Sequence, residues 1–237
     1  MTDYLDRSKK LMGEDKINAL ADKVILVIGI GGVGGTALEA LARSGFKNFV
    51  LIDSDTVDVS NLNRQILFTS SDIGKDKCLV AKEHLLKISP DLKIKTITAK
   101  IGEVLLDQLD LGQIDFIVDA IDYVEGKIHI YEFALKNKIK FISSLGMGNR
   151  IDPEQVTLTR LNKTENDPLA KKIRYESKQK GLDLKEINVV FSKENPLIKS
   201  PKPNSMMMVP STAGLLIAKY VLSTIYSDNI ILMRTNL

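Results

Sequence analysis

Residues 24–53 read VILVIGIGGVGGTALEALARSGFKNFVLID, and this stretch decides the fold that we predict. The apolar run at 23–29 predicts a buried strand, and residues 48–53 predict a second one. Between them the sequence predicts a helix from about 34 to 44, which follows a glycine-rich turn. A strand, a glycine turn, a helix and a second strand together are typical of a unit that binds a nucleotide.

The glycines of this turn fit the pattern G-x-G-x-x-G, with Gly29, Gly31 and Gly34 at its fixed positions. Small residues let the backbone approach a phosphate, and the N-terminus of the following helix favours negative charge. Asp53 ends the second strand about 20 residues further on, where an acid accepts hydrogen bonds from ribose hydroxyls. The turn therefore predicts a nucleotide but does not distinguish NAD from ATP.

The same alternation continues along the chain. Further strands are predicted at 93–99, 116–122, 140–145, 155–161 and 187–192, with helices at 75–89, about 125–137 and about 211–226. Apolar strands that alternate with helices indicate a parallel sheet covered on both faces. We predict an α/β fold with a Rossmann-like, doubly wound and mostly parallel sheet, C-terminal strands and a final packed helix.

Composition limits the class of protein. The chain of 237 residues has a net charge of +3 and one cysteine, Cys78, which fits a reducing compartment and excludes an intrachain disulfide. Its N-terminus is charged and shows no secretory signal. The run AGLLIAKYVLSTI carries Lys219 and is too short to span a bilayer. We therefore expect a cytoplasmic protein that has no membrane segment.

The stretch DSDTVDVSNLNRQILF, at 53–68, favours ATP over NAD as the nucleotide. An NAD enzyme has no chemical need for such a polar cluster after its ribose acid. An enzyme that attacks the α-phosphate of ATP needs fixed donors and cations, because that displacement builds charge on the phosphate oxygens. Arg64 offers a planar fork for phosphate, and Ser60 and Asn61 offer neutral groups. Lys77 follows at the start of a helix.

Two carboxylates, Asp119 and Asp122, end the fourth predicted strand. The carboxyl ends of parallel strands meet at one edge of a sheet, so these side chains are expected near the nucleotide. Carboxylate oxygens suit Mg²⁺ that bridges phosphates. The pattern therefore predicts ATP and Mg²⁺ as ligands.

The segments GIGGVGG, LIDSDTVDVSNLNRQ, GKDK and VDAID resemble the ATP-binding domain of the ThiF/MoeB/HesA superfamily of adenylating enzymes, nearly colinearly over 1–161. The resemblance implies that Arg64, Lys77 and Asp122 take part in catalysis, with Asp122 as the metal ligand. Arg7 matches an arginine that reaches into the partner subunit's ATP site, which implies a homodimer. The implied nucleotide-binding residues are Gly29, Gly31, Gly32, Gly34, Asp53, Asp55, Ser60, Asn61 and Gln65. Tyr123 stands where many members have asparagine.

Later segments, among them SSLGMGNRIDPEQVTLTRL and SMMMVPSTAGLLIAKYVL, resemble the tRNA threonylcarbamoyladenosine dehydratase family. That resemblance implies adenylation of the threonine carboxylate of tRNA threonylcarbamoyladenosine. A carbamoyl oxygen then closes a ring and releases AMP, with net loss of water. An intramolecular closure needs no covalent enzyme intermediate, which agrees with a single cysteine that we interpret as a small buried side chain. A sulfur-transfer protein partner stays open.

The charge is uneven. Residues 160–202 contain 11 Lys and Arg against 6 Asp and Glu, a net of +5. A basic segment attracts phosphates, so tRNA is the expected partner. The candidate contacts are Lys163, Lys171, Lys172, Arg174 and Lys178. The predicted organisation is an ATP-binding adenylation domain with an N-terminal dimer arm at 1–161, a basic and partly mobile connection at 162–205, and a C-terminal helix at 206–237 that packs on the same domain.

Three other interpretations stay open: an adenylyltransferase for a sulfur-carrier protein, a non-catalytic nucleotide-binding module and an NAD enzyme. With one cysteine the zinc site of many sulfur-carrier adenylases is impossible. We find no partner for hydride transfer, and we interpret His84 and His129 as surface or half-buried. We interpret the run Met206–Met208 as core packing ahead of the last helix.

Overall fold

The structure is a computed structural model and describes residues 3–198, 200 and 203–226. Its centre is a seven-stranded sheet in the order β3-β2-β1-β4-β5-β7-β6, in which only β6 runs antiparallel to its neighbour. The strands are β1 (Val24–Ile28), β2 (Asn48–Asp53), β3 (Lys93–Thr98), β4 (Phe116–Asp119), β5 (Lys140–Ser144), β6 (Val156–Arg160) and β7 (Asn188–Ser192). The predicted doubly wound, mostly parallel sheet is confirmed.

The order of the strands reverses at β1, which pairs with β2 on one side and β4 on the other. Val27 lies opposite Leu51 and opposite Val118, and all three side chains are buried. Apolar strands of this kind are covered on both faces, as parallel sheets require. In such sheets ligands bind beyond the carboxyl ends of the strands, where the order reverses. Here that place lies beyond Ile28.

Helices cover both faces. The α-helices of the described residues are α1 (Asp6–Met12), α2 (Glu14–Leu20), α3 (Gly32–Arg43), α4 (Lys77–Ile88), α5 (Val124–Lys136), α6 (Pro168–Gln179) and α7 (Met208–Ile225). One apolar cluster joins the sheet to α3, α4 and α7, and a second joins the other face to α5 and α6. The two clusters account for the burial of the central strands.

The helices α3 and α7 pack backbone to backbone. A Cβ atom at Gly214 of α7 would lie 2.6 Å from the carbonyl oxygen of Val33, so the absence of a side chain lets the two backbones meet. The helix α7 has 18 residues, and by length and composition it meets the requirement for a membrane span. The run AGLLIAKYVLSTI, predicted to be too short for a span, covers residues 213–225, and the helix extends it by five residues at its start. Its buried positions, such as Ile217 and Val221, pack in the core.

Three helices were not predicted from the sequence. The first two, α1 and α2, lie in the N-terminal region, where buried Leu5, Ile17 and Leu20 anchor them to the core. The third, α6, lies inside the segment expected to be a partly mobile connection, and the strand β7 of that segment sits inside the sheet between β5 and β6. Residues 162–198 therefore contain a packed helix and an internal strand.

The last helix begins at Met208 rather than near Ser211. The interpretation of the methionine run as core packing was wrong, because Met206, Met207 and Met208 are 50%, 44% and 43% exposed. They precede the packed part of α7, whose first buried residue is Val209. The predicted C-terminal unit extends to residue 237, and its residues 227–237 lie outside the described residues.

Candidate functional site

The glycine turn leaves β1 at the point where the strand order reverses. Gly29 has φ +89°, and a Cβ atom there would lie 2.8 Å from the backbone of Ala120, which follows β4. At Gly34 a Cβ atom would lie 1.8 Å from the carbonyl oxygen of Gly29. Both positions therefore require glycine, and the turn leads directly into the N-terminus of α3. Free backbone N–H groups at such a terminus attract phosphate.

Asp53, at the end of β2, is bonded to this turn. Its Oδ2 accepts a hydrogen bond from the backbone N–H of Ile30 at 2.6 Å, and its Oδ1 accepts one from the N–H of Asp55 at 2.9 Å. Burial raises the pKa of the Asp53 carboxyl above its ordinary value, and the two backbone hydrogen bonds and nearby Lys77 oppose this effect. The carboxylate keeps lone pairs for further donors, as a ribose acid requires.

The loop after β2 brings Arg64 to the glycine turn. The position of a Cβ atom at Gly32 lies 3.2 Å from the carbonyl oxygen of Arg64 and 3.6 Å from its Cγ. The half-buried guanidinium donates to the carbonyl oxygen of Ser60 at 2.8 Å and to Oδ1 of Asn63 at 3.0 Å, both through Nη1. Nη2 and Nε point to no acceptor among the residues that the structure describes. The side chain thus has donors for a phosphate.

Ser60 and Asn61 also shape this loop. Oδ1 of Asn61 accepts from the N–H of Asp58, and the hydroxyl of Ser60 donates to Oδ1 of Asp58 at 2.6 Å. The predicted ligand role of Asn61 is therefore left to its amide N–H groups, since its oxygen serves the turn.

Gln65 carries a signal of a missing ligand. Its side chain is 5% exposed, and its Oε1 has no hydrogen-bond partner among the described residues. Its Nε2 lies 3.8 Å from the position of a Cβ atom at Gly31. A polar ligand bound at the glycine turn would supply the partner that this buried oxygen lacks among the described residues. This observation fits a nucleotide.

Lys77 is the buried cation of the site. The side chain is 5% exposed, and Nζ lies 2.8 Å from Oδ2 of Asp55, whose side chain is 65% exposed. Asp55 therefore holds an ammonium group while its own carboxylate stays solvated, so another anion can replace that carboxylate at low cost.

The structure contradicts the interpretation of Asp119 as a magnesium ligand. Its side chain is fully buried, and its Oδ2 accepts from Nζ of Lys127 at 2.8 Å and from the hydroxyl of Ser143 at 2.6 Å. Tyr131 donates to Ser143 at 2.7 Å, and Oδ1 of Asp119 accepts from the N–H of Ile121. We call Asp119, Lys127, Tyr131 and Ser143 the buried network. Sequence reasoning missed it.

Asp122 lies three residues beyond Asp119 and is exposed. Among the described residues no group of three metal-ligating side chains exists. Mg²⁺ is commonly bound through one or two carboxylates plus substrate phosphates, and one carboxylate beside a phosphate site fits that mode. Tyr123 donates to the carbonyl oxygen of Ile101 at 2.9 Å, and burial raises the pKa of its hydroxyl to about 12.

The remaining predicted residues lie apart from this group. Arg7 is exposed on α1, and its expected site belongs to a second chain. Cys78 is buried, and burial raises the pKa of its thiol, which confirms the interpretation as an inert side chain. His84 lies 3.3 Å from Glu39, and His129 accepts a hydrogen bond from the N–H of Leu106. Both histidines are half-buried.

Comparison with known proteins agrees with this geometry. Residues 5–230 match the ThiF family. The chain is 32% identical to tRNA threonylcarbamoyladenosine dehydratase of Bacillus subtilis over 96% of each chain. It is 38% identical to the protein of the same name from Escherichia coli, over 70% of this chain and 62% of that one.

Solved structures give the same result. A crystal structure of Escherichia coli tRNA N6-threonylcarbamoyladenosine dehydratase in complex with ATP superposes with a TM-score of 0.87, at 32% identity over 94% of each chain. The fold, the glycine turn and these similarities agree over nearly the whole sequence. The chain therefore belongs to the ThiF family, in its tRNA threonylcarbamoyladenosine dehydratase group.

Proposed function

We propose that this chain uses ATP to adenylate the threonine carboxylate of threonylcarbamoyladenosine in tRNA and then lets the product cyclise with loss of water. The observation that carries the proposal is the set of groups at the glycine turn and along the loop that follows β2. It joins the free N-terminus of α3, the guanidinium of Arg64, the buried ammonium of Lys77 and the unsatisfied Gln65. These groups suit a triphosphate with a ribose on Asp53.

The first step is displacement at the α-phosphorus. An oxygen of the substrate carboxylate bonds to phosphorus while the bond to the pyrophosphate oxygen breaks. Arg64 and Lys77 stabilise the charge that builds on the phosphate oxygens, because fixed cations in a partly dry site lose little energy to reorganisation. Asp53 accepts hydrogen bonds from the ribose hydroxyls and so orients the α-phosphorus toward the entering carboxylate. The chain's contribution to this step is position and charge.

The second step is ring closure within the substrate. The carbamoyl oxygen attacks the acyl carbon, AMP leaves with one oxygen of the former carboxylate, and the carbamoyl nitrogen loses a proton to solvent. Effective molarity makes such a closure fast once the carboxylate is activated. A thioester intermediate is unnecessary, which fits a Cys78 whose thiol is buried and hard to ionise.

Mg²⁺ belongs to the same proposal. Asp122 would hold the ion together with phosphate oxygens, and the ion would neutralise part of their charge. Removal of divalent cations by a chelator is expected to abolish turnover.

The assembly and location are further parts of the proposal. Arg7 lies exposed on α1, and a homodimer would carry it into the ATP site of the partner subunit. A cytoplasmic location follows from a tRNA substrate and a single reduced cysteine. Relay of sulfur from a partner through this chain is disfavoured, because Cys78 is buried.

The experiment supplies the protein with ATP, Mg²⁺ and tRNA that carries threonylcarbamoyladenosine, and then follows the nucleoside by mass spectrometry. We expect a product lighter by one water molecule and one AMP per product. Arg64→Ala is expected to lower kcat by about 10²–10³-fold, the loss seen when one donor to transition-state charge is removed. Arg43→Ala is the matched control, because Arg43 is an exposed arginine at the end of α3 with a Glu39 partner.

Two results would contradict the proposal. Full turnover by Arg64→Ala would remove the role assigned to that side chain. ATP–pyrophosphate exchange that requires a carrier protein ending in Gly-Gly, with none on modified tRNA, would favour the sulfur-carrier function instead.

A further inference from the structure

The outer face of α6 combines lysines with an exposed aromatic ring. Its inner positions, Ala170, Ile173 and Ser177, are buried, and the helix packs against α5. From residue 171 to residue 179 the exposed positions of the helix are Lys171, Lys172, Tyr175, Glu176, Lys178 and Gln179. Tyr175 is 62% exposed, which is unusual for a large ring on a packed helix.

Helix geometry places the lysines around the ring. Lys171 precedes Tyr175 by four residues, Lys172 precedes it by three, and Lys178 follows it by three, so all three neighbour the ring on one face. Within the described part of the chain, no carboxylate forms an ion pair with these three ammonium groups. The next lysine, Lys180, is paired with Glu132 at 3.4 Å.

The structure also reduces the number of basic side chains in this segment that are available to RNA. Arg174, one of the predicted tRNA contacts, is half-buried, and its guanidinium donates to the carbonyl oxygen of Thr164 at 2.9 Å and to the Thr164 hydroxyl. Its charge serves the fold at the start of α6 and does not lie on the outer face. The basic surface is therefore smaller than the sequence indicates and is centred on Tyr175.

The helix is anchored at the edge of the sheet that carries the nucleotide site. Asp167 caps α6 through the N–H groups of Leu169 and Ala170, and its other oxygen accepts from the N–H of Gly146 at 2.9 Å. Gly146 lies two residues beyond the carboxyl end of β5. One carboxylate thus ties the start of α6 to the edge where the strands end.

We infer that the outer face of α6 is an RNA-docking surface, on which Lys171, Lys172 and Lys178 contact phosphates and Tyr175 stacks on an unpaired base. This inference rests on the proposed function, because it takes the substrate tRNA as the ligand. Single-stranded loops of RNA present splayed bases that aromatic side chains stack on, while lysines follow the backbone. The alternative partner, an acidic protein surface, would form ion pairs with the lysines but would gain little from contact with an exposed ring.

The test compares the triple variant Lys171→Gln/Lys172→Gln/Lys178→Gln with Lys87→Gln/Lys93→Gln/Lys138→Gln. The control removes the same charge from exposed lysines near the amino ends of the strands. With modified tRNA, the first variant is expected to raise KM for tRNA roughly tenfold or more at unchanged kcat. The slope of the logarithm of the binding constant against the logarithm of the salt concentration is also expected to become less steep. The expected change is about 0.7 for each RNA phosphate that a lysine no longer neutralises. The control is expected to leave both unchanged.

Tyr175 gives the second arm. Tyr175→Ala is expected to weaken binding of a fluorescent tRNA roughly 5- to 100-fold, the loss of one stacked base, whereas Tyr175→Phe keeps the ring and the affinity. Equal losses in the alanine and phenylalanine variants, or no loss in either, would overturn the docking surface. A normal KM for tRNA in the triple lysine variant would also overturn the docking surface. The proposed function would still stand in that case, provided that the wild-type protein converts modified tRNA to product. If wild-type protein forms no product from modified tRNA, both proposals fail.

Discussion

Two lysine–carboxylate pairs lie near the carboxyl edge of the sheet with the same Nζ–O distance of 2.8 Å, yet their surroundings differ completely. In the pair of Lys127 and Asp119 both side chains are fully buried. In the pair of Lys77 and Asp55 the ammonium is 5% exposed and the carboxylate is 65% exposed. Distance alone therefore does not tell what a pair does.

The difference lies in which atoms each pair leaves open. Asp119 also accepts from Ser143 and from the N–H of Ile121, so the buried network is closed and holds the start of the loop that leads to Asp122. Asp55 is solvated and can release Lys77 to a phosphate. We call Lys127 and Asp119 the closed pair, and Lys77 and Asp55 the half-open pair. The closed pair fixes the local geometry. The half-open pair can exchange its anion, since a solvated carboxylate loses less interaction energy when it leaves its cation.

The largest effect is expected from breaking the closed pair. Lys127→Met leaves Asp119 as a buried charge without its cation, and the free energy of unfolding is expected to fall by about 3–5 kcal/mol. Urea denaturation measures this fall. The double variant Lys127→Met/Asp119→Asn removes the stranded charge and should recover most of the loss. A loss below about 1 kcal/mol in the single variant would contradict this prediction, because only a solvent-exposed ion pair contributes so little to stability.

Breaking the half-open pair should lower turnover and leave the free energy of unfolding nearly unchanged. Lys77→Met keeps an apolar stem in the buried position and leaves Asp55 hydrated, so the free energy of unfolding is expected to change by less than about 1 kcal/mol. Turnover of modified tRNA should fall by about 10²–10³-fold, because a fixed cation for the phosphates is gone. Denaturation and product formation are measured on the same preparation. A stable variant with normal turnover would contradict the role of Lys77.

Sequence reasoning named both members of the half-open pair, Lys77 and Asp55, without pairing them, and it missed the closed pair for a physical reason. Asp55 and Lys77 lie in the motifs DSDTVDVSNLNRQ and GKDK, which follow one another closely along the chain. The buried network joins β4, α5 and β5, and only the packed sheet shows that Lys127 neutralises Asp119. A strand-end aspartate resembles a metal ligand until its partner is seen.

The helix α6 was missed because its inner face carries only a few apolar residues among many lysines. Pro168 and Gly181 look like breakers of structure in a basic segment. In the fold Pro168 occupies the first turn of α6, where proline is tolerated, and Gly181 lies past its end. The strands β1 and β2 were predicted to within one residue, because continuous apolar runs are typical of strands in a buried parallel sheet. The strand β4 was predicted at 116–122 and ends three residues earlier, at Asp119.

Asp53 gives a smaller effect that depends on pH. In the proposed site Asp53→Asn removes charged hydrogen bonds to the ribose, and ATP binding should weaken by about 1.5–3 kcal/mol. The same carboxylate makes the stability of the wild-type protein depend on pH. Burial raises the pKa of Asp53 in the folded state above the ordinary 3.8, so the folded state binds the proton more tightly than the unfolded state. Ionisation of Asp53 therefore costs stability at neutral pH, and the cost disappears as the pH falls through the raised pKa toward 3.8.

The measurement is a pair of denaturation curves as a function of pH. Asparagine offers one amide oxygen where the carboxylate offers two acceptors to the N–H groups of Ile30 and Asp55, so the variant serves as a side chain that does not titrate. As the pH falls from 7 toward 3.8, the wild-type protein is expected to gain stability relative to the Asp53→Asn variant. A wild-type protein that loses stability relative to the variant over this range would show that the folded state favours the ionised carboxylate, with a pKa below the ordinary value.

The smallest effect is expected at Asp55, and its sign decides between two roles. The sequence places Asp55 among the expected nucleotide-binding residues, where its loss would weaken ATP binding. The half-open pair predicts the reverse: Asp55→Asn removes an anion that competes with phosphate for Lys77, and ATP should bind up to about fivefold more tightly, a change below about 1 kcal/mol. Calorimetric titration with ATP measures it, with Asp91→Asn as control, because Asp91 is an exposed carboxylate paired with Lys47 near the amino end of β3. Because the competition is electrostatic, the gain should shrink as salt is added; weaker ATP binding in Asp55→Asn would make Asp55 a direct ligand instead.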